Sequence, residues 1–235
     1  RELGELKSRF VSMASHEFRT PLATILTSSE MLNLYRNRLS EEDIKAKLGV
    51  IRDEVFYMTQ LMDEVLTLGK AQSGTLVLAP EKFNVDELSR SVIGEVAREE
   101  DRSRVEYTWG GGSPDFVADK KLYRRIVTNL VSNALKYSGK DKQVTVKLTC
   151  QDDGLKLVVI DRGIGIPPAD QAHLFEAFHR AGNVGTISGT GLGLVITHYA
   201  VTLHGGTIEF VSKENEGTTF TVTMPRQALP PTEAM

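Results

Sequence analysis

The sequence has little of several features that mark particular classes of protein. It has one cysteine in 235 residues, Cys150, so no disulfide can form within the chain, and we expect a reduced thiol buried in a strand. No run of eighteen apolar residues is present, and the first residues lack the apolar centre of a signal peptide. We therefore expect no membrane contact in this chain and a cytoplasmic location, whether the chain stands alone or is part of a larger protein that is membrane-bound. The formal net charge of -3 argues against nucleic acid as a partner.

The segment before residue 75 has the pattern of helices. No glycine lies between Gly4 and Gly49, and polar residues at 37–41 allow the chain to turn back on itself. Two helices bury only one seam, so the pattern predicts an all-α helical hairpin that pairs with a second copy in a homodimeric four-helix bundle. In the second helix the apolar residues follow the 3-4 spacing of packed helices, at Leu48, Ile51, Val55, Met58, Met62 and Val65.

From about residue 80 the pattern becomes a mixture of strands and helices without strict alternation. This favours an α+β sandwich with helices on one face of a mixed sheet. The predicted domains are therefore 1–74, a helical hairpin, and 75–228, an α+β sandwich, followed by a loose tail at 229–235. Strands are predicted at 104–109, 144–150, 155–160, 207–211 and 218–224, and helices at 85–99, 120–137 and 191–203.

His16 lies on the first predicted helix, well away from its apolar stripe. We expect its imidazole to face solvent, where the neutral form offers a lone pair to an electrophilic phosphorus. Pro21 cannot donate to the carbonyl of Glu17, so the helix should bend one turn after His16. By itself this arrangement also describes an ordinary surface histidine beside a kink.

A helix in the second domain carries a polar stripe at Arg125, Asn129, Asn133 and Lys136. The spacings of four, four and three place these groups beside the apolar face of the same helix. An amide oxygen can bind Mg²⁺ without opposing the charge of a triphosphate, and a lysine or arginine compensates that charge. The spacing alone equally describes an amphipathic helix with a solvated side.

Two glycine-containing motifs follow, DRGIGIP at 161–167 and GTGLGL at 189–194. Asp161 comes directly after an apolar strand, where its carboxylate can accept a hydrogen bond from an exocyclic amine while Gly163 and Gly165 let the main chain approach a flat ring. GTGLGL opens a helix, whose first N-H groups favour anionic oxygens. Between them, Phe175 and Phe178 are expected to pack while the rest forms a mobile lid. No Walker-type phosphate loop is present.

SHEFRTPL at 15–22, NLVSNALKYS at 129–138, DRGIGIP and GTGLGL occur in the order of the four signature boxes of the sensor histidine kinases, and the resemblance spans residues 1 to about 225. It implies an ATP-binding second domain that phosphorylates His16, with Mg²⁺ and ATP as cofactors. It also implies that Glu17 polarises or deprotonates the imidazole, and that Thr20 places water when the phosphorylated partner is dephosphorylated.

The same resemblance implies the residues of the nucleotide site. Asn133 is implied as the Mg²⁺ ligand, and Arg180 as a residue that approaches the phosphates. The other positions implied to contact or surround ATP are Asn129, Lys136, Tyr137, Asp161, Gly163, Gly165, Gly189, Thr190, Gly191, Leu192, Gly193 and Thr218.

The sequence therefore predicts the catalytic core of a dimeric histidine kinase of a two-component system. Its implied partner is the receiver domain of a response regulator, which accepts the phosphoryl group on an aspartate and is dephosphorylated by the same core. One alternative is an ATP-hydrolysing relative of the gyrase or Hsp90 type, although the helix at 120–137 lacks the carboxylate that would activate water. The other is a dimeric scaffold that binds nucleotide without turnover.

Overall fold

The computed structural model describes residues 2–97, 99–185, 187 and 189–226, with side chains from residue 17 onward except that of residue 72. The chain divides after Lys70 into two compact units. No helix within the described residues is long and apolar enough to cross a lipid bilayer. The predicted loose tail at 229–235 lies outside the described residues, as does the imidazole of His16.

The first unit is a hairpin of two long helices, α1 (Glu2–Tyr35) and α2 (Glu41–Gln72). Helix α1 continues through Pro21 without interruption. The turn between the helices ends in a capping box at Ser40, whose hydroxyl accepts a hydrogen bond from the Asp43 N-H at 3.1 Å and donates to the Asp43 carboxylate at 2.7 Å. These bonds and the acidic first turn of α2 explain why the second helix starts there.

The hairpin covers only part of its apolar surface. Leu61 is fully buried, whereas three members of the predicted stripe, Leu48, Val55 and Met62, are exposed by 54%, 50% and 50%. Since these three residues recur every seven positions, they form a continuous line along α2. The predicted seam is therefore left half open within one chain.

The strands of the second unit are β1 (Pro80–Asn84), β2 (Val105–Gly112), β3 (Asp115–Asp119), β4 (Val144–Gln151), β5 (Gly154–Ile160), β6 (Thr207–Lys213) and β7 (Gly217–Met224). Five of them form a sheet in the order β2-β4-β5-β7-β6. Strand β2 pairs with β4 in parallel, and every other pairing in this sheet is antiparallel. A separate two-stranded sheet pairs β1 with β3.

The core of this unit lies between one face of the large sheet and the helices. Alternate residues of β4, β5 and β7 point into it, including Cys150, which is fully buried as predicted. The helix at Lys120–Tyr137, α4, is capped by Asp119, whose Oδ1 accepts hydrogen bonds from the N-H groups of Lys121 and Leu122 at 3.0 Å. The helices are α3 (Val85–Val96), α4 (Lys120–Tyr137), a short α5 (Pro168–Gln171) and α6 (Gly193–Leu203), with 3-10 turns at Arg102–Arg104 and Gly182–Val184.

The predicted hairpin and the predicted α+β sandwich are both confirmed, with corrections to single elements. Strands β1 and β3 were missed because each has only five residues and neither alternates in hydrophobicity. Helix α3 ends at Val96 rather than residue 99, since Ala97 is extended. Helix α6 begins at Gly193 rather than 191, because Gly191 has a φ of +68°, which a right-handed helix cannot include.

Candidate active site

Helix α4 carries the polar stripe on the side that its core residues leave free. Seven of its residues are buried, among them Ile126 and Leu130, whereas Asn129, Asn133 and Lys136 are only partly buried. The side-chain amide of Asn129 donates to the carbonyl of Gly193 at 2.9 Å and contacts the hydroxyl oxygen of Thr197 at 3.2 Å. The stripe therefore faces the start of α6, where the GTGLGL motif ends.

Asp161 lies directly after the last residue of β5 and is buried. Its Oδ1 accepts hydrogen bonds from the main-chain N-H groups of Gly163 at 2.8 Å and Thr218 at 3.2 Å. Burial raises the pKa of this carboxyl, and the two N-H donors offset part of that rise. Both donors use the same oxygen, so the carboxylate is held in one orientation.

The glycines after Asp161 are required by close contacts with the main chain. A Cβ on Gly163 would lie 2.3 Å from the carbonyl oxygen of Tyr137 at the end of α4. Gly165 has a φ of +63°, and its Cβ would lie 2.0 Å from the carbonyl oxygen of Lys213. These contacts fix the loop after β5 against α4 on one side and against β6 on the other.

Residues of α4 also meet the GTGLGL segment. The Lys136 ammonium lies within 2.5 Å of the position that a Cβ on Gly189 would occupy, and 4.8 Å from the centre of the Tyr137 ring. Burial raises the pKa of Tyr137, while the positive charge of Arg180 lowers it in part. Arg180 itself donates a hydrogen bond to the carbonyl of Ile187. A cationic region thus lies beside the glycine-rich segment.

The segment that leads into α6 is ordered by one side-chain and one main-chain hydrogen bond. The hydroxyl of Thr190 accepts a hydrogen bond from the N-H of Leu192 at 3.2 Å. Leu192 is fully buried, so it anchors the start of α6 in the core. The Phe178 N-H donates to the Gly191 carbonyl at 3.1 Å, and Phe178 is itself buried, as predicted.

Of the three catalytic residues predicted in the phosphoacceptor motif, the structure describes the side chains of Glu17 and Thr20. Glu17 on α1 accepts a hydrogen bond from the Tyr57 hydroxyl of α2 at 3.1 Å. Thr20 is exposed, one helical turn after His16. The imidazole of His16 lies outside the described side chains, so its predicted exposure stays a prediction.

Three side chains that contact the site were missed by sequence reasoning. Tyr57 reaches Glu17 from the other helix, and Thr197 contacts Asn129. The Ser212 hydroxyl accepts a hydrogen bond from the Ile166 N-H at 2.9 Å. All three act through pairings between residues distant in the sequence, so no local motif could reveal them.

Two family models match the two units. The model of the His Kinase A (phospho-acceptor) domain matches residues 6–74. The model of the histidine kinase-, DNA gyrase B- and HSP90-like ATPases matches residues 118–228. The chain belongs to the sensor histidine kinases. Within that family it corresponds to the catalytic core, since both characteristic domains are present in the usual order.

Curated relatives and solved structures agree with this membership of the sensor histidine kinases. The chain is 29% identical to the sensor protein KdpD of Escherichia coli over 99% of its length, and 31% identical to the circadian input-output histidine kinase CikA of Synechococcus elongatus over 95%. It spans only 26% and 30% of those two proteins.

Among solved structures, the Acinetobacter baumannii histidine kinase AdeS aligns with 90% of the chain and 98% of its own length, with a TM-score of 0.68 and 21% identity. The mycobacterial sensor histidine kinase MprB aligns with 63% of the chain and all of its own length, with a TM-score of 0.54 and 29% identity. The likeness to AdeS concerns the fold, while MprB shares somewhat more of the sequence.

Proposed function

We propose that this chain binds ATP with Mg²⁺ in the unit at 75–228 and transfers the γ-phosphoryl group to His16 in the hairpin at 1–74. The phosphoryl group then passes to an aspartate of a response regulator, and the same hairpin supports dephosphorylation of that regulator. The observation that carries this proposal is Asp161, a buried carboxylate held by two main-chain donors at the start of a glycine loop that packs closely against the main chain of Tyr137 and Lys213.

Asp161 supports recognition of adenine in particular. Both described donors contact Oδ1, so Oδ2 is the atom that can accept a hydrogen bond from the exocyclic amine of the purine. Guanine presents a carbonyl oxygen at the corresponding position, which a carboxylate repels. The site should therefore discriminate against GTP.

The residues near the expected triphosphate suit a Mg²⁺ ion that the protein and the phosphates bind together, rather than a metal ion held by protein side chains alone. Among the described residues no group of three or more histidine, cysteine or acidic side chains is placed to hold a metal. The α4 stripe offers amide oxygens, and Mg²⁺ commonly combines a few protein oxygens with phosphate oxygens and water. Asn133 would provide such an oxygen, and Lys136 and Arg180 would compensate the phosphate charge.

The hairpin supplies the acceptor. We propose that the imidazole of His16 attacks the γ-phosphorus while Glu17 accepts or polarises its proton, so that the N-P bond forms as the bond to the leaving ADP oxygen breaks. The Tyr57 hydroxyl fixes the Glu17 carboxylate at 3.1 Å, which limits the orientations that this base can adopt. Thr20, on the same helix face as His16, is proposed to place water in the phosphatase reaction.

The half-open seam of the hairpin supports dimerisation. Leu48, Val55 and Met62 form an exposed apolar line that repeats every seven residues, as in a helix that packs against a partner helix. A second copy of the hairpin would cover this line in a four-helix bundle. We therefore propose that the homodimer is the functional form.

A groove of about 610 Å³ on the hairpin surface includes the end of the phosphoacceptor motif. Its lining contains Arg19 and Thr20 of that motif and Lys47 of α2, so it carries two cations. A receiver domain carries its phosphoryl-accepting aspartate in an acidic site, which would be attracted to this surface. We propose that the regulator binds here.

Incubation with γ-labelled ATP and Mg²⁺ tests the proposed function. We expect acid-labile label on the protein, and its loss in His16→Gln with unchanged nucleotide binding. The exposed His198 provides a matched control, since His198→Gln should keep the label. Release of free phosphate without protein label would instead indicate an ATPase, and the absence of both would indicate a scaffold.

A further inference from the structure

Thr197 is a buried polar residue at the interface of α4 and α6. It lies on the second turn of α6 and is fully buried. Its hydroxyl donates to the carbonyl of Gly193 at 2.9 Å, and its oxygen lies 3.2 Å from the side-chain nitrogen of Asn129. That same nitrogen donates to the Gly193 carbonyl at 2.9 Å. The three groups form a closed triangle of hydrogen bonds.

The chemistry of the triangle permits only one orientation of the Asn129 amide. The Gly193 carbonyl can only accept, so the amide must present its NH₂ end to it. Because the Thr197 proton is committed to the same carbonyl, the Thr197 oxygen offers a lone pair and also requires an N-H donor. A flipped amide would place its oxygen against the Gly193 carbonyl, and Thr197 could donate to it only by giving up its own bond to that carbonyl, which is unfavourable in a buried position.

We infer that Thr197 is a positioning residue, which holds the Asn129 amide so that its Oδ1 faces the nucleotide side of α4. The inference depends on the proposed function, since it concerns the ATP site proposed above. Asn129 is one helical turn before Asn133, so a fixed Oδ1 places a second amide oxygen on the stripe proposed to meet the metal and the phosphates. Without the Thr197 hydroxyl, one of the two groups that select this orientation is lost.

The first test uses the protein without nucleotide or metal. Thr197→Val keeps the shape of the side chain and removes the hydroxyl, whereas Thr197→Ser keeps the hydroxyl. Hydrogen exchange of the Asn129 side-chain NH₂, measured by NMR and assigned with Asn129→Ala, should be slow in the wild type and in Thr197→Ser. It should become at least about five-fold faster in Thr197→Val. Equal exchange in all three proteins would overturn the inference.

The second test measures binding of a non-hydrolysable ATP analogue by calorimetry, with Mg²⁺ and with EDTA. We expect Thr197→Val to weaken Mg²⁺-dependent binding about five-fold and to leave Mg²⁺-free binding within about two-fold, with recovery in Thr197→Ser. A structural defect alone would lower both affinities together and would contradict the proposed role. Thr197→Ala gives the same comparison if the valine variant does not fold.

A double-mutant cycle assigns the effect to Asn129. If Thr197 acts through that amide, Thr197→Val should cost nothing further in an Asn129→Ala background. Additive effects would overturn the inference while leaving the proposed kinase intact, provided that the wild type still labels His16. A wild type that binds no ATP analogue would overturn both.

Discussion

The two units differ in how completely each one covers its apolar surface. Of the large apolar side chains that the structure describes as exposed, three lie in the second unit, at Val77, Val117 and Val211. The first unit holds the rest, at Leu22, Leu26, Met31, Leu34, Tyr35, Leu48, Val50, Val55, Phe56, Met62 and Leu66. The sandwich covers its core within one chain, whereas the hairpin leaves an apolar line exposed, which we propose a second copy covers.

This difference matches the division of labour that we propose. A nucleotide site needs fixed geometry, which a closed core with a buried carboxylate can provide. An acceptor helix must stay accessible to both an ATP domain and a regulator, so it cannot be buried in a core of its own. In the proposed homodimer, packing between the two hairpins would supply the stability that such an exposed helix lacks.

The largest expected effect is on dimerisation, when a charged side chain is placed in the exposed apolar line of α2. Val55→Glu should weaken the dimer by about 4 kcal/mol, or about 1000-fold in its dissociation constant, because each dimer loses two buried valines and would bury two charges. Analytical ultracentrifugation measures this constant. Val211→Glu is the matched control, since Val211 is 77% exposed in the sandwich and the change should not affect association. Equal dissociation constants for the two variants would contradict the proposal that the exposed apolar line of the hairpin forms the dimer interface.

Asp161→Asn should separate stability from function in the sandwich. The asparagine side chain can still accept hydrogen bonds from Gly163 and Thr218, but its NH₂ group would face the amine of adenine, so ATP affinity should fall about 100-fold. Calorimetric titration with ATP measures this loss.

The raised pKa of Asp161 also determines how the stability of the fold depends on pH. Burial raises the pKa of Asp161, so the protonated carboxyl favours the fold at low pH and this contribution is lost as pH rises through the folded-state pKa. At neutral pH the ionised carboxylate therefore destabilises the fold, and Asp161→Asn should unfold at a higher temperature than the wild type. Lower thermal stability of the variant at neutral pH, measured by calorimetry, would contradict this explanation.

A smaller effect is expected from the contact between the two helices of the hairpin. Tyr57→Phe removes the hydroxyl that donates to Glu17 while keeping the ring, so the rate of His16 phosphorylation should fall about five-fold, or about 1 kcal/mol. The measurement is the initial rate of labelling at saturating ATP. Tyr35→Phe serves as the control, because Tyr35 is an exposed tyrosine at the end of α1. An unchanged rate in Tyr57→Phe would show that Glu17 needs no such restraint.

The smallest effect concerns an exposed ion pair in the segment between the two glycine motifs. The Nδ1 atom of His173 lies 2.8 Å from Oε1 of Glu176. Their hydrogen bond raises the pKa of His173 above 6.5 and lowers that of Glu176 below 4.5. The contribution of protonated His173 to the stability of the fold is lost as pH rises through its raised pKa. The contribution of ionised Glu176 is lost as pH falls through its lowered pKa.

The ion pair should therefore stabilise the segment between the two shifted pKa values. His173→Gln should slightly lower thermal stability near pH 5.5 and leave it unchanged at pH 9, because the wild-type histidine is neutral there. Thermal unfolding across this range provides the measurement. A difference that persists at pH 9 would mean that the side chain acts by packing and not by charge.

Sequence reasoning predicted the elements with strong periodicity and failed where partners are distant. Helix α4 was predicted with its correct ends, because its apolar spacing is a local signal. Strands β1 and β3 were missed, since each is defined mainly by its pairing with the other. Likewise the motif residues could be named in advance, but the contact of Asn129 with Thr197 spans 68 positions and leaves no pattern in the sequence.

Locating the phosphoryl group is the most direct measurement of the proposed reaction. The chain is incubated with ATP and Mg²⁺, digested at neutral pH, and the modified peptide is identified by mass spectrometry. We predict one phosphoryl group on His16, lost in acid and stable in base, and absent when Asp161 is replaced by Asn. A phosphoryl group on any other residue, or none while ATP is consumed, would contradict the assignment of His16 as the acceptor.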